Sequence, residues 1–178
     1  MTTKNSVLRL SYSAVCLALA LVLPFLTGQI PQIGNMLCPM HLPVLLCGFL
    51  CGWPYGLAVG FAAPILRFAL FGMPPIFPTG IAMAFELGTY GLLAGLMNHL
   101  LPKKYWTLYV SLAVAMLGGR IVWGLVRLFL AGLSGSEFLF SAFIAGAFTS
   151  AVPGIAVQLI LIPPIVLALR RAHLIPNA

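Results

Sequence analysis

Apolar runs of roughly membrane-crossing length follow one another from Leu8 to Leu169, separated only by short turn-rich stretches. Few folds remain open to such a chain, because a surface that is apolar along its whole length has lipid as its solvent. The charge content agrees. Of 178 residues 62% are hydrophobic, mean hydropathy is +1.11, and only eleven are Lys, Arg, Asp or Glu. A soluble domain carries about a quarter of its residues charged, against 6% here. The reading is all-α: a six-helix transmembrane bundle forming one integral membrane domain over residues 1–178. The spans fall at about 6–23, 40–52, 56–71, 79–100, 105–131 and 139–169. The turns between them are Pro24 to Pro39, Trp53-Pro54-Tyr55, Gly72 to Pro78, Pro102-Lys103-Lys104 and Gly132 to Glu137. The first run, Leu8 to Phe25, is kept as a mature span, since no small-residue cleavage site and soluble body follow it.

Basic residues fix the count and the orientation. Lys4 and Arg9 precede the first span, Lys103 and Lys104 follow the fourth, and Arg170 and Arg171 end the sixth. With six spans all three clusters share one face, which the positive-inside rule makes cytoplasmic, so both termini lie inside. Five spans would split them. The net charge of +7 therefore reports topology, and its scatter in pairs argues against nucleic acid as a partner. Spans two and three look short against the roughly 20 residues that a straight helix needs. Gly48, Gly52, Gly56 and Gly60 recur every four residues, as do Gly91 and Gly95, a spacing that brings helix backbones close. The turn at Pro54 is expected to interrupt the first series.

Four ionisable residues lie within the spans: Arg67, Glu86, Arg120 and Arg127. Each costs about 2.5–3.5 kcal/mol at a helix centre on insertion scales, so each must face protein, water or another charge. Arg67 and Arg127 fall near the outer ends of helices three and five, Glu86 about two turns below the outer end of helix four, and Arg120 nearer the midplane. One reading is purely structural: Glu86 pairs with Arg120 or Arg127 and ties two helices together. Three arginines exceed one buried acid, however. Even with Glu137 satisfying Arg127, positive charge is left over for a ligand's carboxylate or phosphate. Tyr90, Trp123, Thr149, Ser150 and Gln158 are candidates to stack or hydrogen-bond there, with core packing the alternative for each. His41 opens helix two near the outer face, where it either touches ligand or caps the helix. The loops at Pro24–Pro39 and Phe71–Pro78 have the length of functional segments. Trp53, Tyr55, Tyr105, Trp106 and Tyr109 read as the inner aromatic belt.

Catalytic equipment is missing. There is no P-loop, HExxH or GxSxG, and two acids in all leave no paired carboxylates. The four cysteines Cys16, Cys38, Cys47 and Cys51 show no zinc or disulfide framework and read as packed free thiols. No enzyme activity, cofactor or metal is expected.

Helix one holds Ala14-Val15-Cys16-Leu17-Ala18, and residues 40–60 run Met40-His41-Leu42-Pro43-Val44-Leu45-Leu46-Cys47-Gly48 and on through Gly52-Trp53-Pro54-Tyr55-Gly56 to Gly60. Together with the size and six-helix plan, these segments resemble the substrate-binding S components of energy-coupling factor (ECF) vitamin transporters, over nearly the whole chain. That resemblance implies a prokaryotic plasma-membrane subunit binding a water-soluble vitamin on its outer face under loops one, three and five. It would work with a T subunit and two cytoplasmic ATPases, toppling in the bilayer against the T subunit. Ala14 and Ala18 match the AxxxA motif that docks on that subunit. No ligand residues carry over. The arginine excess leans toward an anionic vitamin, pantothenate first, then riboflavin, a pyridoxine-type vitamin or a folate. A stand-alone secondary transporter or channel is the other reading, and it would move solute without ATPase partners.

Overall fold

The computed structural model describes residues 3–27, 38–134 and 152–172. Six helices lie within them: α1 (Thr3–Val22), α2 (His41–Cys51), α3 (Trp53–Phe71), α4 (Ile81–Leu100), α5 (Tyr105–Ser134) and α6 (Val152–Arg171). A 3-10 turn at Leu23–Thr27 prolongs α1, and a kinked segment at Ile76–Gly80, with Phe77 in an extended conformation, leads into α4. No strand occurs among the described residues. Five of the helices are long and apolar enough to cross a membrane; α2, at eleven residues, is not. It spans about 16 Å, roughly half the hydrocarbon thickness.

The boundary between the second and third helices differs from the sequence reading. Trp53, Pro54 and Tyr55 are not a turn; they form the first turn of α3, where Pro54 occupies a position whose amide has no helical partner anyway. The break is Gly52 alone, at φ 96°, with its amide bonded to Gly48 O. A side chain is strained in that conformation, so glycine is the residue that lets two helices abut without a loop. α5 also runs three residues beyond its expected end. Residues 139–151 of the expected sixth span lie outside the described residues.

α4 is the centre of the bundle and packs on α2, α3 and α5, while α1 packs on α2 and α3, and α6 on α2 and α5. Glycines make the central contacts possible. A methyl on Gly48 would stand 2.6 Å from Gly91 O, and one on Gly56 2.5 Å from the same oxygen. Gly60 meets Leu87 O and Gly95 the backbone of Trp53 at similar closeness. The helix break therefore does not interrupt the glycine series, contrary to the expectation from Pro54: the turn at Gly52 folds α3 back so that Gly48 and Gly56 share one α4 surface. With no hydrophobic effect separating helix from lipid, such backbone contact is what holds a bundle together.

The helix ends sort the basic residues. Arg170 Nη2 donates to Asn98 Oδ1 at 2.5 Å, and Asn98 Nδ2 donates to Phe49 O at 3.1 Å, joining the C-terminal ends of α6, α4 and α2. Lys103 and Lys104 follow α4 directly. Cys47 reaches Ser13 Oγ at 3.7 Å, which sets the N-terminal half of α1, with Arg9, beside the same end of α2. Arg9, Lys103–Lys104 and Arg170–Arg171 thus share one end of the bundle. Trp53, Tyr105 and Trp106, all exposed, start α3 and α5 there.

Candidate functional site

Three helices deliver polar groups to one buried spot. Glu86 and Tyr90 are one turn apart on α4 and so share a face. Arg120 comes from α5, and the preceding Gly119 clears space for the Tyr90 ring: a methyl there would be 2.5 Å from Tyr90 Cε1. His41 is the first residue of α2, and its amide bonds Cys38 O at 3.0 Å, so Cys38 is brought in by the turn just before the helix.

The closest approaches converge on one carboxylate oxygen. Arg120 Nη1 lies 2.9 Å from Glu86 Oε1, Tyr90 OH donates to it at 3.2 Å, and His41 Nε2 stands 3.4 Å away. Arg120 Nη2 also donates to Cys38 Sγ at 3.5 Å, and the His41 and Tyr90 rings tilt together with centroids 5.1 Å apart. Glu86 is 2% exposed, His41 3% and Arg120 7%. Of the two structural pairings open to Glu86, the fold makes the one with Arg120.

The cluster is not saturated. Arg120 Nε and both ring nitrogens of His41 are buried with no hydrogen-bond partner; the His41–Glu86 approach is near enough for attraction but lacks hydrogen-bond alignment. A buried polar group left unmade costs about 1–3 kcal/mol. His41 does not cap α2 either: no side chain caps that helix, and Met40 takes the N-cap position. Sequence reasoning missed Cys38, which it took as a packed thiol, and Gly119. The Gly118–Gly119 pair just before Arg120 was the available signal.

Arg67 belongs to a separate arrangement at the same depth. It stands 14 residues into α3, Glu86 stands 14 before the end of α4, and Arg120 stands 15 into α5, each about 21–23 Å from the basic end. Glu86 and Arg120 are therefore level, rather than at the different depths expected of them, because α5 extends well past the end of its neighbours. Arg67 Nη1 donates to Leu21 O at 2.6 Å, and its guanidinium lies 5.1 Å from the Phe25 ring centroid and 5.5 Å from that of Phe71. No carboxylate among the described residues pairs with it. Arg127 lies over Trp123, 5.7 Å from the ring centroid. Neither of those two, nor Arg67, is among the partners of Glu86. Gln158 is buried on α6, and Ala14 and Ala18 are both exposed on α1. Gln29, Pro31, Gln32, Asn35, Glu137, Thr149, Ser150 and His173 lie outside the described residues. Among the described residues all four cysteines are free and buried, and no group of three or more His, Cys, Asp or Glu could hold a metal ion.

Across residues 8–166 the sequence matches the family model described as ECF transporter, substrate-specific component. The chain belongs to that family. This S component is accordingly a multi-pass membrane protein and the substrate-specific subunit of an ECF transporter. Its family binds a small-molecule substrate and associates with ECF T and ATPase components. No curated protein and no solved structure matched the chain.

Proposed function

We propose that this S component captures a water-soluble vitamin or related micronutrient from outside the cell and delivers it inward in complex with a T subunit and two cytoplasmic ATPases. The observation that carries this reading is the Glu86–Arg120–His41–Tyr90 cluster, in which three helices bring polar side chains together at one depth of the bundle and leave donors unfilled. Polar groups so placed in a membrane protein are expensive unless used, and membership of a substrate-specific component family supports substrate binding as that use.

The cluster stands about 21 Å from the basic end, and the positive-inside rule makes that end cytoplasmic in a prokaryotic plasma membrane. The substrate then enters from the opposite, exoplasmic side. Glu86, Arg120, His41 and Tyr90 form the inner contacts. Arg67, level with them on α3, adds positive charge at that depth, and Arg127, with Trp123 beneath it, adds more toward the outer side. That excess favours an anionic vitamin, pantothenate first, then riboflavin, a pyridoxine-type vitamin or a folate. Ala14 and Ala18 form the small-residue contact for the T subunit.

A thermal-shift and mass-spectrometric screen of the purified chain against water-soluble vitamins tests the reading. One compound is expected to stabilise the protein strongly at stoichiometric concentration. Solute movement in liposomes without ATPase partners, and no tight ligand, would instead identify a stand-alone carrier or channel.

A further inference from the structure

Taking the cluster as the capture site, we infer that the part of the substrate seated there is a neutral carbonyl group, of an amide, lactam or cyclic urea, and that any carboxylate it carries binds elsewhere. The unfilled groups are mostly donors. Arg120 Nε always carries a hydrogen, and at least one His41 ring nitrogen does; both side chains are more than nine-tenths buried, and neither atom has a partner. What completes them is an acceptor, and a carbonyl oxygen accepts two hydrogen bonds.

Charge decides between a carbonyl and a carboxylate. Arg120 at 2.9 Å already balances Glu86, so the ion pair itself sums to zero. A carboxylate placed on Arg120 Nε would add a second negative charge within a few ångströms of Glu86, in a site where desolvation removes most of the screening. A carbonyl oxygen fills the same donor without that repulsion. Arg67, at the same depth and with no carboxylate partner among the described residues, is the better place for an oxyanion.

Arg120→Lys separates the alternatives. Lysine keeps a cation opposite Glu86, so the fold is retained, but it has no counterpart of Nε. The full-length purified protein is titrated with matched acid and neutral compounds that share a neutral carbonyl: pantothenate with pantothenol, and biotin with biotinamide. Riboflavin is added as a neutral lactam and pyridoxine as a vitamin without a carbonyl. Among compounds that bind the unmodified chain, Arg120→Lys is expected to weaken acid and neutral partners by the same factor, about 10- to 100-fold. Melting temperature without ligand checks that the variant folds. His41→Ala, which leaves the Glu86–Arg120 pair intact, gives a second reading and is expected to weaken both members of a pair equally too.

Three results overturn the inference while leaving vitamin capture in place: a loss confined to the carboxylate members, pyridoxine as the tight ligand, or unchanged affinities in both variants, which would mean that water alone fills the donors. If no compound binds the unmodified chain, the capture reading itself falls, and this inference with it.

Discussion

Arg120 Nη1 lies 2.9 Å from Glu86 Oε1, while Nε of the same guanidinium is buried without a partner. The ion pair thus ties α4 to α5 and still keeps hydrogen-bonding capacity in reserve. A pair serving packing alone would gain from a saturated fork, since a buried charge pair is net favourable only when its remaining hydrogen bonds are made.

Replacing Arg120 by Gln removes the cation from a buried carboxylate. Breaking such a pair costs about 3–5 kcal/mol. The variant is expected to melt at markedly lower temperature in detergent and to lose vitamin affinity at least 100-fold. Arg127→Gln, outside the cluster, is expected to keep the fold and weaken an anionic ligand by a smaller factor. Unchanged affinity in both variants would remove the arginines from the site.

Gly91→Ala presses a methyl group onto the Gly56 carbonyl, a backbone atom that no rotamer change can move aside. A cost of about 1–3 kcal/mol follows from overpacking, read as a drop of several degrees in melting temperature. Gly132→Ala is the control, for nothing lies within 4 Å of the added methyl, and it is expected to melt like the parent.

Ala14→Leu and Ala18→Leu enlarge the exposed face of α1 without touching the buried cluster. Co-purification with the T subunit and ATPases is expected to fall severalfold, while vitamin affinity of the isolated subunit stays the same. Loss of vitamin binding together with assembly would contradict a pure docking role.

Arg67→Leu takes away the hydrogen bond to Leu21 O and the cation held by Phe25 and Phe71. Cation–π contacts contribute about 0.5–2 kcal/mol each. Hydrogen exchange across residues 21–27 is expected to accelerate, and vitamin dissociation with it. Retained protection there would show that the end of α1 does not depend on this contact.

Lys104→Cys tests orientation. The residue is exposed at the basic end, so a membrane-impermeant thiol reagent is expected to label it in inside-out vesicles and not in intact cells. Labelling in intact cells would reverse the topology.

Much of this architecture could be read from sequence because two global quantities encode it: hydropathy marks the helices, and paired bases mark their shared end. The Glu86–Arg120 pairing was legible as one of two options, since a lone intramembrane acid must find a cation. Other features depend on which helix faces meet, and that is absent from local pattern. Arg67 reaches Leu21 across 46 residues, and its aromatic neighbours Phe25 and Phe71 look like ordinary lipid-facing residues in sequence. Cys38 lies in a turn whose position only the tertiary fold fixes. Pro54 attracted the helix break because proline usually marks one, but the flexible Gly52 two residues earlier is what the chain uses.

The half-length of α2 has a consequence for solvent access. Its first turn begins near mid-bilayer, so above His41 a column of about 15 Å is filled by no part of that helix. Hydrocarbon cannot fill it, because lipid tails would strand the polar groups gathered at its floor. Whatever occupies that column, on the side facing away from the lysines, must therefore bring polar groups of its own to His41 and Arg120.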